Sequence, residues 1–246
     1  MSRRAGALGH PRVHLRRTDS TNERARELAL AGAPHGTLVT AAEQTAGRGR
    51  QGRRWSAPAG SALLMSLLLR AQQSGHGDEL APLLPLIAAL AVADVAGDEA
   101  RIKWPNDVVV ERGDGLDKLA GILTEGRPQE GWAIVGIGLN VAVRIDELPV
   151  ELHDSAATLG RPAQAIEPTL ELLLGALARR LGEPPETTLR EWRARDALFG
   201  RPVTWKGGAG EAEGIDGAGR LVVALHGGGR VTLDAGEVHL ARAAKR

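Results

Sequence analysis

The segment Gly47-Arg48-Gly49-Arg50-Gln51-Gly52-Arg53-Arg54-Trp55 interleaves glycines with arginines and closes on a tryptophan. Glycine lets backbone N–H groups come close to an anion. Guanidinium adds forked, permanently charged donors that match phosphate or carboxylate. The segment therefore reads as an anion-gripping loop, and Trp55 can cover a planar ring or the mouth of a pocket. Neither GxxxxGK[ST] nor GxGxxG spacing is present, so a P-loop and a Rossmann turn are both unsupported. A basic tail or an RNA-binding Arg-Gly segment uses the same letters. Here, however, the loop lies between two predicted strands of a compact region.

Four further groupings carry chemistry. In Lys103-Trp104-Pro105-Asn106-Asp107, Pro105 keeps its neighbours extended or in a turn and presents Lys103, Asn106 and Asp107 together. That set suits a hydrated Mg²⁺ with a nucleotide phosphate, whereas Asn-Asp alone reads first as a turn cap. Lys118 opens the apolar run to Glu125, either as a snorkelling edge residue or as a point charge for a substrate carboxylate. Gly121 in mid-strand suggests close approach by a ligand, and Glu125 reads as a strand-end charge. In Val135–Val141, glycines alternate with aliphatics and leave one smooth face for a ring or a helix. Asn140 in that apolar strand needs partners if buried, and a nucleotide or a metal-bound water can supply them. Thr18-Asp19-Ser20-Thr21-Asn22 supplies hydroxyls that cap a helix by default and can also read a polar heterocycle.

The elements that must position these groups follow from pattern. Residues 1–12 read as a frayed end. Ser20 with Glu23 has capping-box spacing, opening a helix through Leu28 that stops near Gly32. Strands are predicted at Thr37–Ala42 and Ser61–Arg70. A helix starts at Asp78 with Pro82 and Pro85 in its first turns and ends at Gly97. Strands follow at Arg101–Trp104, Asp107–Glu111, Lys118–Gly126 and Trp132–Val143, then helices at Thr169–Leu181 and Leu189–Ala197. After Gly200-Arg201-Pro202 come four short strands and no helix, the texture of a small β-barrel or sandwich. Class α+β is expected, with a mixed, largely antiparallel sheet packed with helices, and a boundary near residue 200.

Composition narrows the function classes. Lys and Arg total 31 against 30 Asp and Glu, so no global field favours nucleic acid or an anionic membrane. Cysteine is absent, which removes disulfide-stapled folds and thiolate metal sites. Arginines near Met1 are followed by no apolar h-region, and the longest apolar stretch is broken by prolines and an Asp. A cytoplasmic location with no membrane partner is the expectation.

In this order the groupings resemble one family, the biotin protein ligases (biotin–[acetyl-CoA-carboxylase] ligases). Gln44-Thr45-Ala46-Gly47-Arg48-Gly49-Arg50 with Gly52 and Trp55 carries the signature, and Lys103–Asp107, Lys118–Leu123 and Gly136–Asn140 match its other blocks. The match runs from about Thr18 to Val143 by motif and over the C-terminal segment by texture. It implies a class II synthetase-like catalytic domain, 1–199, and an SH3-like C-terminal β-barrel, 200–246. It implies an enzyme that joins biotin and ATP, with Mg²⁺, into biotinyl-5′-adenylate and pyrophosphate. Biotin then passes to one lysine of the biotin carboxyl carrier protein or domain of an acetyl-CoA or acyl-CoA carboxylase.

Carried over residue by residue, Ser20, Thr21 and Gln44 resemble the contacts to the ureido ring, and Asn22 is a further implied biotin-binding position. Arg48, Gly49 and Arg50 resemble those that close over the biotin carboxylate and the α-phosphate. Lys118, with Gly121 beside it, resembles the contact to the carboxyl, so Lys118, Arg48 and Arg50 form the implied catalytic set. Arg50, Gly52, Arg53, Trp55, Lys103, Asn106, Asp107 and Asn140 match positions near ATP, with Asp107 near Mg²⁺. Gln51 departs from the pattern where many relatives carry a basic residue, so a modest effect on ATP binding is expected. Some relatives carry a helix-turn-helix module before the core. With the core beginning by about Thr18, neither DNA binding nor repression is expected here, and monomer and homodimer both stay open. A lipoate or octanoate ligase or transferase is the nearest rival.

Overall fold

The computed structural model describes residues 8–70, 82–127, 130–234 and 238–241. Its first half builds one seven-stranded sheet. The strands are β1 (Arg12–Leu15), β2 (Leu38–Ala41), β3 (Ala62–Arg70), β4 (Ala100–Lys103), β5 (Asp107–Arg112), β6 (Gly115–Arg127) and β7 (Trp132–Asn140), in spatial order β1-β2-β3-β7-β6-β5-β4. The β1–β2 pair is parallel and every other pair antiparallel, so the expected mixed, largely antiparallel sheet is present.

Alternation along β3 and β7 divides the apolar residues between the two faces. Leu63, Met65, Leu67, Val135, Ile137 and Leu139 face the main core. There they meet α2 (Leu84–Ala96), and α3 (Ile166–Leu181) packs on α2. The opposite face holds two smaller clusters. Leu68 and Ile134 pack under Ala25 and Ala29 of α1 (Thr21–Leu30). Ala62 and Leu64 pack under Val143, Leu148 and Ala156. Between these clusters lie Ser66, Gly136 and Gly138, where the sheet surface is low.

Several expectations need correction. Arg12 is not part of a frayed end, because β1 begins there, and Gly9 N–H donates to Gly36 O at 2.9 Å. Ser20 occupies the N-cap of α1, but its hydroxyl makes no capping bond. Asp19 Oδ1 takes the Ser20 N–H at 2.7 Å, and Glu23 turns instead to Arg26. The Asp78 helix start lies outside the described residues, and α2 begins at Leu84 with Pro85 in its first turn. α4 is Pro185–Arg193, four residues earlier than predicted. Proline at a helix start is preorganised, and after Arg193 the chain is drawn onto the edge of the sheet. Ile102 N–H donates to Arg195 O at 2.7 Å, and Ala197 N–H donates to Ile102 O at 2.9 Å.

Past residue 200, β8 (Pro202–Trp205), β9 (Gly208–Ile215), β10 (Leu221–Leu225), β11 (Arg230–Leu233) and β12 (His239–Leu240) form an antiparallel sheet in the order β11-β10-β9-β8-β12. Sequence reading missed β12. The expected barrel does not close among the described residues, since β11 and β12 do not pair. Strands of four and two residues offer too little ladder to bend a sheet round on itself. Val203, Ala212, Leu221 and Val223 of this sheet join the main core rather than forming one of their own. Among the described residues, no helix is long and apolar enough to cross a membrane.

Candidate functional site

Register places the site. Asp107, Gly121, Gly138 and Leu64 stand opposite one another across β5, β6, β7 and β3. The next row on the same face is Leu123, Gly136, Ser66 and Val39, across β6, β7, β3 and β2. Glycines at 121, 136 and 138 leave a furrow between an apolar end and a charged end. The smooth face expected from the sequence is therefore real, and the chain itself lies against it. A Cβ at Gly138 would come within 2.5 Å of Trp55 Cε2, and one at Gly136 within 2.0 Å of Asn22 Oδ1.

At one end of the furrow the start of α1 makes a polar pocket. Ser20, Thr21 and Asn22 are all buried there and line a cavity of about 30 Å³ with Gln44 and Arg48. Gln44 Oε1 accepts from Thr21 N–H at 2.7 Å and from the Thr21 hydroxyl at 3.1 Å. Asn22 Nδ2 donates to Leu123 O at 3.2 Å and to Glu125 Oε2 at 2.7 Å. Arg48 lies 3.4 Å from Glu23 Oε2 and 3.4 Å from Glu125 Oε1, which ties the arginine loop to this pocket. The Arg26 guanidinium bonded to Glu23 is the main cause holding that carboxyl below its ordinary pKa.

At the other end a cavity of about 440 Å³ opens, lined by Arg50, Arg53, Lys103, Asn106, Asp107 and Lys118, with Asn140 at its wall. Lys118 Nζ is 2.7 Å from Asp107 Oδ1, an ion-pair distance outside the hydrogen-bonding direction. It also stands 5.8 Å from the centroid of the Trp55 ring, within cation–π range. Asn106 accepts from Arg50 at 3.3 Å and donates to Ile122 O at 2.8 Å, so it braces the loop against β6. Asn140 Nδ2 donates to Ala157 O at 2.8 Å, while its buried Oδ1 has no hydrogen-bond partner. A buried amide oxygen without a donor is costly, and a ligand donor would relieve it.

The loop itself folds tightly. Gly49 N–H donates to Arg53 O at 2.7 Å, and one 3-10 turn spans Arg50–Gly52. Gln51 adopts φ 55, the left-handed region, and is exposed. Gly52 is exposed beside it and lines neither cavity.

The structure thus gathers Ser20, Thr21, Asn22 and Gln44 at one end and Lys103, Asn106, Asp107, Lys118 and Asn140 at the other. The ring of Trp55 lies between them, and Gly52 is left outside. Glu125, read from sequence as a strand-end charge, and Glu23, read as a capping residue, both face Arg48. Ser66 was missed altogether, although a serine inside the apolar run Ala62–Leu69 was a usable signal. Among the described residues no three His, Cys, Asp or Glu side chains converge as a metal site. Asp107 alone offers a carboxylate to the larger cavity, and that sparse set matches an ion held mainly by phosphate and water.

Comparison with known proteins gives the family. The sequence profile of the biotin/lipoate A/B protein ligase family matches residues 14–141. A biotin–[acetyl-CoA-carboxylase] ligase of Paracoccus denitrificans is 39% identical, over 91% of this chain and 98% of its own. The bifunctional ligase/repressor BirA of Bacillus subtilis is 42% identical, over 58% of this chain and 44% of its own. This chain spans about half the length of the Bacillus relatives it matches. A biotin protein ligase from Aquifex aeolicus, solved with biotin and ATP, superposes with a TM-score of 0.77 at 27% identity, covering 95% of this chain and all of that one.

Proposed function

On the premise that the chain belongs to the biotin/lipoate A/B protein ligase family, we propose that it is an ATP-dependent biotin–protein ligase. It condenses biotin with ATP to biotinyl-5′-adenylate and pyrophosphate. A lysine amine of a carboxylase biotin carrier domain then attacks the acyl carbon, releasing AMP and a proton. The observation that carries this reading is the furrow. It joins a buried polar pocket, whose hydroxyl and amide groups match a neutral heterocycle once the loop has moved to admit it, to a cationic cavity fit for a carboxylate and a nucleotide.

In this reading Thr21, Asn22 and Gln44 hold the ureido ring, with Ser20 beside them. The valeryl chain follows Gly121 and Gly138. Its carboxylate reaches Lys118, Arg48 and Arg50 with the backbone of Gly49. Biotin and ATP are both anions, so their approach is opposed by Coulomb repulsion. Two guanidinium groups and an ammonium offset it and stabilise the charge that builds as carboxylate meets α-phosphate. Arg53, Lys103, Asn106 and Asn140 contact the nucleotide, and Trp55 covers it, with Gly52 as the hinge of the turn. Asp107 would hold Mg²⁺, which when bound supplies further neutralisation of phosphate charge. Holding both reactants side by side contributes the rest.

The polar cavity, about 30 Å³, suits a water rather than a bicyclic ring. Biotin entry therefore requires Trp55 and its loop to shift, after which the loop closes over the adenylate and keeps water from the mixed anhydride. We further place a catalytic unit at 1–199 and a β-unit at 200–246 in a cytoplasmic enzyme.

Transfer of labelled biotin to a carrier domain, with and without ATP, tests the function. ATP-dependent label on the carrier lysine is the expected result. Pyrophosphate exchange driven by lipoate and not by biotin would sink the reading in favour of a lipoate or octanoate ligase.

A further inference from the structure

Ser66 sits in the middle of β3, fully buried at 0% exposure, and behind the polar pocket rather than in its wall. Its Oγ lies 2.8 Å from Thr21 Oγ1 and 2.6 Å from Asn22 Oδ1. A serine hydroxyl has one hydrogen to give. The Asn22 amide is oriented by its Nδ2 bonds to Leu123 O and Glu125, so its Oδ1 faces Ser66 and needs a donor. If Ser66 donates to Asn22, the short contact to Thr21 is satisfied only when the Thr21 hydroxyl donates to Ser66. If Ser66 donates to Thr21 instead, the Thr21 hydrogen turns to Gln44 Oε1 and the buried Asn22 Oδ1 loses its donor. The first arrangement leaves no buried oxygen unpaired and is favoured.

In either arrangement the Thr21 hydrogen is committed inside the protein. Toward the cavity, Thr21 can then only accept. Gln44 is polarised by the same circuit. Its Oε1 takes the Thr21 N–H at 2.7 Å, which leaves Nε2 as its donating end. An acceptor beside a donor is the complement of a ring that carries N–H and carbonyl groups together.

We propose that Ser66 is a positioning residue that sets the hydrogen-bond polarity of the Thr21–Gln44 pair, preparing the pocket to read a cyclic urea. The proposal rests on the functional reading above and touches no reacting atom. Without the serine hydroxyl, Asn22 Oδ1 is buried with no donor while its Nδ2 bonds still hold the amide, and Thr21 loses the contact that fixes its hydrogen. Ligand recognition then suffers while the chemistry at Lys118, on the far side of Trp55, does not.

The test compares wild type, Ser66→Ala and Ser66→Cys in the full chain. Biotin affinity is measured by calorimetry, and KM for biotin and for ATP by pyrophosphate exchange. Ser66→Ala is expected to raise both the biotin Kd and the biotin KM about tenfold or more. The ATP KM, and kcat at saturating biotin, should stay within about twofold, the signature of lost ground-state binding. Ser66→Cys, a weaker donor of similar size, should fall between the two. Unchanged biotin affinity in Ser66→Ala, or an equal rise in both KM values, overturns the proposal. Should Ser66→Ala fail to fold, wild-type affinity in folded Ser66→Cys overturns it instead. A wild-type chain that binds no biotin overturns the functional reading itself, and the role of Ser66 with it.

Discussion

Gly136→Ala is the sharpest perturbation of the furrow. The added methyl would stand 2.0 Å from Asn22 Oδ1, 2.8 Å from its Cγ and 3.0 Å from its Nδ2. No part of that amide can remain where it is. Gly136 is flanked by Ser66 and Leu123 in a continuous ladder, so the backbone yields less readily than the side chain. To move away, Asn22 must give up its bonds to Ser66, Leu123 O and Glu125. Two neutral bonds at about 1 kcal/mol each and one to a carboxylate at about 1.5–3 kcal/mol set the scale. Water entering the vacated positions returns part of this, leaving about 2–4 kcal/mol. At about 2–4 °C per kcal/mol for a chain of this size, Tm should fall by about 5–15 °C. The biotin KM should rise at least about tenfold, because Asn22 and its neighbours leave the pocket wall. Gly126→Ala on β6 is the control, since its Cβ would meet nothing nearer than Trp132 O at 3.6 Å, an ordinary contact. Thermal unfolding and biotin-dependent pyrophosphate exchange should be run on both variants. If Gly136→Ala melts and turns over like Gly126→Ala, the close approach of Asn22 to β7 is wrong.

Three further outcomes follow from other parts of the molecule. Lys118→Ala should reduce adenylate formation by about a hundredfold or more while circular dichroism stays native, and near-normal exchange would remove Lys118 from its assigned role. Trp104→Phe removes the Nε1–H donated to Gly219 O at 3.0 Å, a bond that ties the Lys103–Asp107 block to the C-terminal sheet. It should cost about 1–2 kcal/mol in denaturant unfolding with biotin affinity intact, and an unchanged midpoint would contradict the link. Burial pushes the Asp196 carboxyl up from 3.8 to about 6. A raised carboxyl pKa favours the folded state below the unfolded value and loses that benefit as pH climbs through the folded one, here across the window from 3.8 to about 6. Asp196→Asn should therefore be more stable than wild type at pH 8, by at most about 3 kcal/mol, with the difference shrinking toward pH 4. An advantage that is the same at both pH values would refute the burial argument.

The arginine–glycine loop, the Lys103–Asp107 turn and the alternating glycines of β7 were legible from sequence because each is local. Their chemistry follows from residue type and short spacing, and strand period alone puts Gly136 and Gly138 on one face. The helix limits were less legible. α4 starts early because of Pro185 and stops early because the chain is captured by β4, a contact with a strand some ninety residues away in sequence.

By itself, the sequence determined which groups could meet an anion, which strand would be smooth, and that the large sheet would be mixed and mostly antiparallel. Only the tertiary structure decided what lies on the smooth strand. Trp55 and Asn22 reach Gly138 and Gly136 from distant segments, and no local pattern encodes that approach. The same holds for Ser66, which falls among Thr21 and Asn22 through the β3–β7 register and the seat of α1. A hydroxyl in an apolar strand declares that it needs a partner. Which partner it has, and therefore which way its single hydrogen points, depends on groups that only folding brings within 3 Å.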